Sequence, residues 1–133
     1  MILGNGIDLL KVSRIKKILD KYGDSFLKKV FSDHEIKENK KNFFKANKLA
    51  KSFATKEAFV KALGTGFTKQ ISFKDISLKN EENGKPYIDL SNRVRKYLKE
   101  ITPNGYKAII NVSISDEKDY VISNVIISFQ KKF

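Results

Sequence analysis

FFKANKLAKSFATKEAFVKALGTG occupies residues 43–66, and the reading of this stretch decides how the rest of the chain is organised. It is the longest helical pattern in the sequence, running over 43–63 and stopped by Gly64-Thr65-Gly66. Projected at about 100° per residue, Ala46, Ala50, Phe53, Ala54 and Val60 share one face, and Lys48, Lys51, Ser52 and Thr55 the other. Glu57 falls in the middle of the apolar face, with Lys61 beside it one turn later. Glu and Lys are seldom buried unless paired. A surface Glu–Lys pair at i,i+4, worth ~0.3–0.5 kcal/mol, accounts for their spacing but not for their face.

Around this helix the pattern changes. Residues 2–8 predict a short strand with Ile2, Gly4, Gly6 and Asp8 on one face. Residues 12–22 predict a helix carrying Val12, Ile15, Ile18, Leu19 and Tyr22. A short apolar piece follows, from Phe26-Leu27 to Val30-Phe31. Ser32-Asp33 fits the N-cap of a brief helix near 33–39, with Glu35 and Glu38 in its early turns. Ile71, Phe73, Ile76 and Leu78 alternate as a strand over 70–78, with a slip near Asp75. Asn83-Gly84 is a hairpin signal leading into a strand at 85–90. A helix near 91–100 and strands at 106–115 and 119–129 complete an α+β chain. Helices come mostly early and an antiparallel meander late.

The chain has 133 residues, the length of one domain. Its 41% apolar residues, with ten Phe and five Tyr, supply a core and exclude general disorder. No apolar run reaches the ~18 residues of a membrane span. The start, Met1-Ile2-Leu3-Gly4-Asn5-Gly6-Ile7-Asp8, lacks the basic region of a signal peptide. A cytoplasmic protein is expected. The absence of cysteine excludes disulfides, thiolate zinc sites and cysteine nucleophiles, and the single His34 argues against histidine-rich metal sites.

Net charge is +12, from 27 basic and 15 acidic residues, and +9 of it lies in residues 9–56. Such a surface attracts polyanions. A chain rich in Lys, Asn, Ile and Phe also acquires this charge from composition alone. Lys outnumbers Arg 24 to 3. Base reading favours bidentate Arg, so sequence-specific DNA recognition is disfavoured.

Asp8 ends an apolar strand on the face of two glycines, where another backbone or a ligand can come close. It or Ser13 also stands near enough to cap the helix at 12–22. Two carboxylates, Asp8 and Glu57, without Cys or His partners suggest a hard cation. Mg²⁺ takes one or two carboxylates and completes its shell with water and substrate phosphate oxygens. Lys61 fits as a phosphate contact. The Gly64-Thr65-Gly66 turn either lets a phosphate approach the backbone or serves as a plain helix C-cap. A Walker A loop is absent.

At these residues the sequence resembles the holo-acyl-carrier-protein synthases, the small phosphopantetheinyl transferases. Gly6-Ile7-Asp8 is similar to the family's N-terminal motif, and Phe53 to Gly66 to its central signature, with Lys56-Glu57-Ala58 and Lys61-Ala62 in place. Asn83-Gly84-Lys85-Pro86 resembles its substrate-side turn, and Val112 to Asp116 with Tyr120 its closing strands. The resemblance covers nearly the whole chain, read as one phosphopantetheinyl transferase domain over 1–133.

It implies an antiparallel sheet with a long central helix and shorter helices, and a homotrimer with active sites between subunits. The implied reaction moves 4′-phosphopantetheine from coenzyme A to a serine of an apo-acyl carrier protein, releasing adenosine 3′,5′-bisphosphate. Asp8 and Glu57 would hold Mg²⁺ and Lys61 would contact the coenzyme A phosphates. Lys48, Gly64, Asn83, Gly84, Lys85, Pro86 and Ser113 would lie along the coenzyme A site. Arg14, Lys17 and Lys21 on the first helix would meet the carrier, whose acidic surface suits a basic partner. No nucleic acid or membrane is implied.

The family usually has Arg where this chain has Ser52, with Lys48 or Lys51 near enough to substitute. It often has His where this chain has Asn111, which hydrogen bonds but is no base. Two other readings are a basic nucleic-acid-binding module and an inactive structural oligomer. The first gives Glu57 no role on an apolar face.

Overall fold

The computed structural model describes residues 1–41, 45–68 and 70–133. The elements run β1 (Ile2–Lys11), α1 (Val12–Tyr22), α2 (Asp24–Val30), α3 (Asp33–Lys40), α4 (Ala46–Leu63), β2 (Ile76–Asn80), β3 (Pro86–Leu90), α5 (Asn92–Ile101), β4 (Tyr106–Asp116) and β5 (Tyr120–Lys131). The start of the expected long helix at 43–44 lies outside the described residues.

A three-stranded antiparallel sheet has the order β1-β5-β4, and β2 with β3 forms a separate hairpin. The first strand therefore pairs with the last, with Gly6 opposite Val125 and Asp8 opposite Ser123. Helix α4 crosses this sheet at very short range. A Cβ on Gly4 would stand 1.8 Å from the carbonyl oxygen of Ala62, and one on Gly6 1.9 Å from that of Ala58. The glycine face of β1 thus admits another backbone, that of α4, whose small residues complete the fit.

The expectation of one apolar and one polar face on α4 is corrected. Leu49, Ala50, Ala54, Ala58, Phe59 and Val60 are buried, but so are Ser52, Thr55 and Lys56. Glu57 is half-buried and Lys61 exposed. The cause is position: α4 packs on β1 and β5 with one side and on α1, α3 and β2 with others. A helix covered on several sides has no single polar stripe to project. Thr55 is satisfied inside by a 2.9 Å hydrogen bond with the Ser123 hydroxyl.

Two core clusters flank α4. One gathers Phe59, Ile76, Val94, Val125 and Ile127. The other gathers Ile15, Phe26, Phe31, Leu49 and Val121.

The expected strand at 70–78 is also corrected. A single 3-10 turn spans Phe73–Asp75 and the strand begins at Ile76. Asp75 accepts hydrogen bonds from the Ser72 amide (2.8 Å) and hydroxyl (2.9 Å), which turns the backbone there. Ser91 Oγ caps α5 by accepting from the Val94 amide.

Candidate active site

Asp8 lies near the end of β1 on the face toward α4, its side chain 16% exposed. It does not cap α1, whose N-cap is Lys11 with no side-chain cap bond. The Lys61 ammonium crosses from α4 to β1, donating to Asp8 Oδ1 at 3.2 Å and to the Ile7 carbonyl at 2.9 Å. Lys61 is thus tied to the strand rather than locked to Glu57 at i,i+4.

Glu57 faces the same corner. Burial pushes its carboxyl up, the negative charge of Asp8 pushes it further, and Lys61 and Arg14 offset part of this. Two carboxylates and two cations of different elements thus share one electrostatic neighbourhood. Among the described residues no third His, Cys, Asp or Glu joins to hold a metal. A pair of mutually repelling carboxylates, one partly desolvated, fits a hard cation that takes its other ligands from water and phosphate.

Gly64 ends α4 in the left-handed region, φ 79°, and its amide bonds back to the Val60 carbonyl at 3.0 Å. The C-cap reading therefore holds. A Cβ there, or on Gly66, would meet nothing within 4 Å, so the turn is also open to a ligand.

A second feature lies on another side of α4. A groove of about 680 Å³ is walled by α3 (His34, Glu35, Glu38, Asn39), α4 (Lys48, Lys51, Ser52) and the hairpin (Leu78, Lys79, Asn80, Gly84, Pro86), with Ile114 and Asp116 of β4 closing it. Three lysines line it. Lys51 is half tied down by Asp116 at 3.5 Å, and Lys79 by Asp89 at 2.7 Å. Ser52 lines the same groove as Lys48 and Lys51. The hairpin tip is held by Gly84 at φ 89° and by Asn83 Oδ1, which accepts from the Lys85 amide at 3.0 Å. Asn83 and Lys85 are exposed beyond the groove wall.

The fold thus brings Asp8, Glu57 and Lys61 together, and Lys48, Gly84 and Pro86 together, as two separate half-sites of one chain. Ser113 belongs to neither. The alternation of β4 aims Ile114 and Asp116 toward the groove and leaves Ser113 exposed on the opposite sheet face, paired with Asn124. Arg14, Lys17 and Lys21 are all exposed along α1, at the i, i+3 and i+7 spacing of one helix face.

Sequence reasoning missed the buried pair beneath the groove. Lys56 and Glu35 are both fully buried, with Nζ 2.6 Å from Oε1. The visible signal was the Ser32-x-x-Glu35 pattern, a capping box in which Ser32 Oγ accepts from the Glu35 amide and Glu35 Oε1 from the Ser32 amide. Lys56 stood in the Lys56-Glu57-Ala58 stretch of the central signature, which gave no sign of its burial.

The 4′-phosphopantetheinyl transferase superfamily model matches residues 4–125. The chain belongs to that superfamily. A holo-[acyl-carrier-protein] synthase of Ehrlichia chaffeensis is 46% identical over 130 residues, covering 96% of this chain and 97% of the relative. The crystal structure of the Neisseria meningitidis holo-[acyl-carrier-protein] synthase superposes with a TM-score of 0.87 at 34% identity, covering 96% of this chain and 99% of that one. The Helicobacter pylori enzyme, solved in complex with coenzyme A, superposes with a TM-score of 0.79 at 31% identity, covering 93% and 99%. The fold expected from the sequence, an α+β chain with an antiparallel sheet and a long central helix, is the fold of these transferases.

Proposed function

We propose that this chain is a holo-acyl-carrier-protein synthase, acting as one phosphopantetheinyl transferase domain in the cytoplasm. It transfers 4′-phosphopantetheine from coenzyme A to a serine of an acidic apo-acyl carrier protein. The observation that carries this reading is the meeting of Asp8, Glu57 and Lys61 at the β1–α4 crossing, in a chain of this family. Among the described residues no helix is long and apolar enough to cross a membrane.

The serine oxygen attacks the β-phosphorus of coenzyme A. The bond from that phosphorus to the bridging oxygen breaks, and adenosine 3′,5′-bisphosphate leaves. Such transfers rest on positioning and charge stabilisation. Asp8 and Glu57 would hold Mg²⁺, which supplies charge neutralisation at the diphosphate when bound. Lys61, anchored by Ile7 and Asp8, presents its remaining donor capacity to a phosphate oxygen. The serine proton passes to the Glu57 carboxylate or to a water beside it. Lys48, Gly84 and Pro86, with Asn83 and Lys85 at the hairpin tip, receive the nucleotide end, and Gly64 leaves its turn open to the phosphates. Arg14, Lys17 and Lys21 dock the carrier.

Active sites between subunits of a homotrimer unite the two half-sites. The outer sheet face supports this assembly: Leu3, Ile7 and Leu9 of β1 are 37%, 54% and 63% exposed, an apolar surface in want of cover. Ser113 lies on that same face, where it would reach a neighbouring subunit's site. Ile7→Lys is expected to convert trimer to monomer in sedimentation; an unchanged mass would refute the interface.

The reaction is tested by intact-mass spectrometry of an apo-acyl carrier protein incubated with this protein, coenzyme A and Mg²⁺, with and without EDTA. A phosphopantetheine mass gain only in the EDTA-free sample is expected. No gain with several carriers, from folded protein, overturns the reading. Salt-sensitive nucleic-acid binding in its place would favour the basic binding module.

A further inference from the structure

The ammonium of Lys56 and the carboxylate of Glu35 are both fully buried and 2.6 Å apart. Their remaining bonding capacity goes almost entirely to backbone. Lys56 Nζ also donates to the Phe73 carbonyl at 3.0 Å and to the Ile76 carbonyl. Glu35 accepts from the Leu78 amide through Oε2 at 3.1 Å and from the Ser32 amide through Oε1 at 3.0 Å. Behind them, Asn39 Nδ2 donates to the Glu35 carbonyl at 2.8 Å, and Ser32 and Ser77 share a 2.7 Å hydroxyl contact. One ion pair therefore ties α4, α3 and the start of β2 at fixed points.

These three elements are the walls of the basic groove, and Glu35 itself lines it. Stability alone does not call for charge here. Apolar residues of similar volume commonly replace a buried pair with no loss, because desolvation offsets the attraction. What charges supply and apolar atoms do not is direction. Three hydrogen bonds from Lys56, to Glu35, Phe73 and Ile76, and one from Leu78 to Glu35 fix α3 and the start of β2 against α4, one residue before Glu57.

Resting on the reading of that groove as the nucleotide end of the coenzyme A site, we propose that the Lys56–Glu35 pair is a positioning device that holds the groove in its binding geometry. Both side chains are fully buried, so the pair acts through the groove walls. Its removal therefore weakens capture of coenzyme A far more than it slows the chemical step.

The test compares wild type with the paired replacement Glu35→Leu/Lys56→Met and with the isosteric Glu35→Gln. The double variant is expected to keep its circular dichroism and Tm, while KM for coenzyme A rises at least tenfold and kcat changes less than threefold. Calorimetric Kd for adenosine 3′,5′-bisphosphate rises in parallel. Glu35→Gln keeps the shape but removes the counter-charge of the buried Lys56 ammonium, so it is expected to lower Tm and to raise both constants. A folded double variant with wild-type KM and Kd overturns the proposal. If the double variant does not fold, Glu35→Gln decides: an unchanged Kd rejects the device and a raised one upholds it. Wild-type protein that binds neither coenzyme A nor the bisphosphate would instead refute the groove assignment.

Discussion

At position 57 a carboxylate sits half-buried beside the negative charge of Asp8, and its pKa is raised by burial first and by Asp8 second. A carboxyl whose folded-state pKa lies above its unfolded value is bound more tightly to its proton in the fold. Its charge therefore weakens the fold as pH rises through that interval. Glu57→Gln is expected to leave Tm unchanged or raised at neutral pH, while kcat/KM falls by about 10³-fold, the scale of several kcal/mol of transition-state stabilisation. Asp8→Asn should cut kcat/KM on the same scale. A folded Glu57→Gln enzyme with a normal transfer rate would end the assignment. Asp75 is the opposite case. Burial pushes its carboxyl up, but hydrogen bonds from Arg93, Ser72 and Ser91 outweigh this and hold it well below the usual carboxylate range. Its contribution is complete above the unfolded pKa of ~3.9 and is lost as pH falls toward the lowered folded value. Asp75→Asn should lower stability by roughly 2 kcal/mol at pH 7, with the difference from wild type shrinking in acid, as urea titrations would show.

At the scale of elements, β1 and α4 are held in one geometry by glycines that leave no room. A Cβ on Gly6 would meet the Ala58 carbonyl oxygen at 1.9 Å and the Ala62 amide nitrogen at 2.7 Å. Both are backbone atoms and cannot rotate away. Gly6→Ala is expected to force the strand off the helix, at a cost of about 3 kcal/mol or more, and to cut transfer activity because Asp8 moves away from Glu57. Equal Tm and equal activity would show that the crossing tolerates a wider spacing. Gly64 is different: its φ of 79° is the requirement, and the space around it is open. The Gly-Ile-Asp motif thus joins a packing demand at Gly6 to a chemical one at Asp8 two residues on, on the same strand face.

Across the whole molecule, charge decides how a partner arrives. The net charge of +12 is concentrated toward the helical half, where Lys17 and Lys21 stand exposed on α1. Arg14 lies within the field of Glu57, so reversing it would disturb the carboxylate pair and confound a test of the proposed carrier docking. Lys17→Glu/Lys21→Glu is the cleaner probe. KM for the carrier should rise about tenfold at low salt, with the effect fading toward ~0.5 M as charges are screened, while KM for coenzyme A stays within about twofold. Parallel changes in both constants would mean that these lysines act on folding or assembly.

Much of this architecture was legible in residue order. The periods read over 12–22, 43–63 and 91–100 contain the helices Val12–Tyr22, Ala46–Leu63 and Asn92–Ile101, because apolar spacing acts locally. Ser32 announced its N-cap, and Asn83-Gly84 its turn. Asp8, Glu57 and Lys61 were legible as chemistry, because carboxylates and an amine amid apolar residues need a reason to be there. What tertiary structure alone decided is what depends on more than one neighbour. The pairing of β1 with β5 spans nearly the full chain, and no local pattern sets it. Burial of α4 on several sides moved the buried charge from Glu57 to Lys56, since a helix face is defined by what packs on it. The alternation of β4 against the sheet turned Ser113 away from the groove and Asp116 toward it. Residue order by itself determined most of the elements and the candidate groups; the packing of helix on sheet determined which of those groups meet, because burial and distance are properties of the assembled fold.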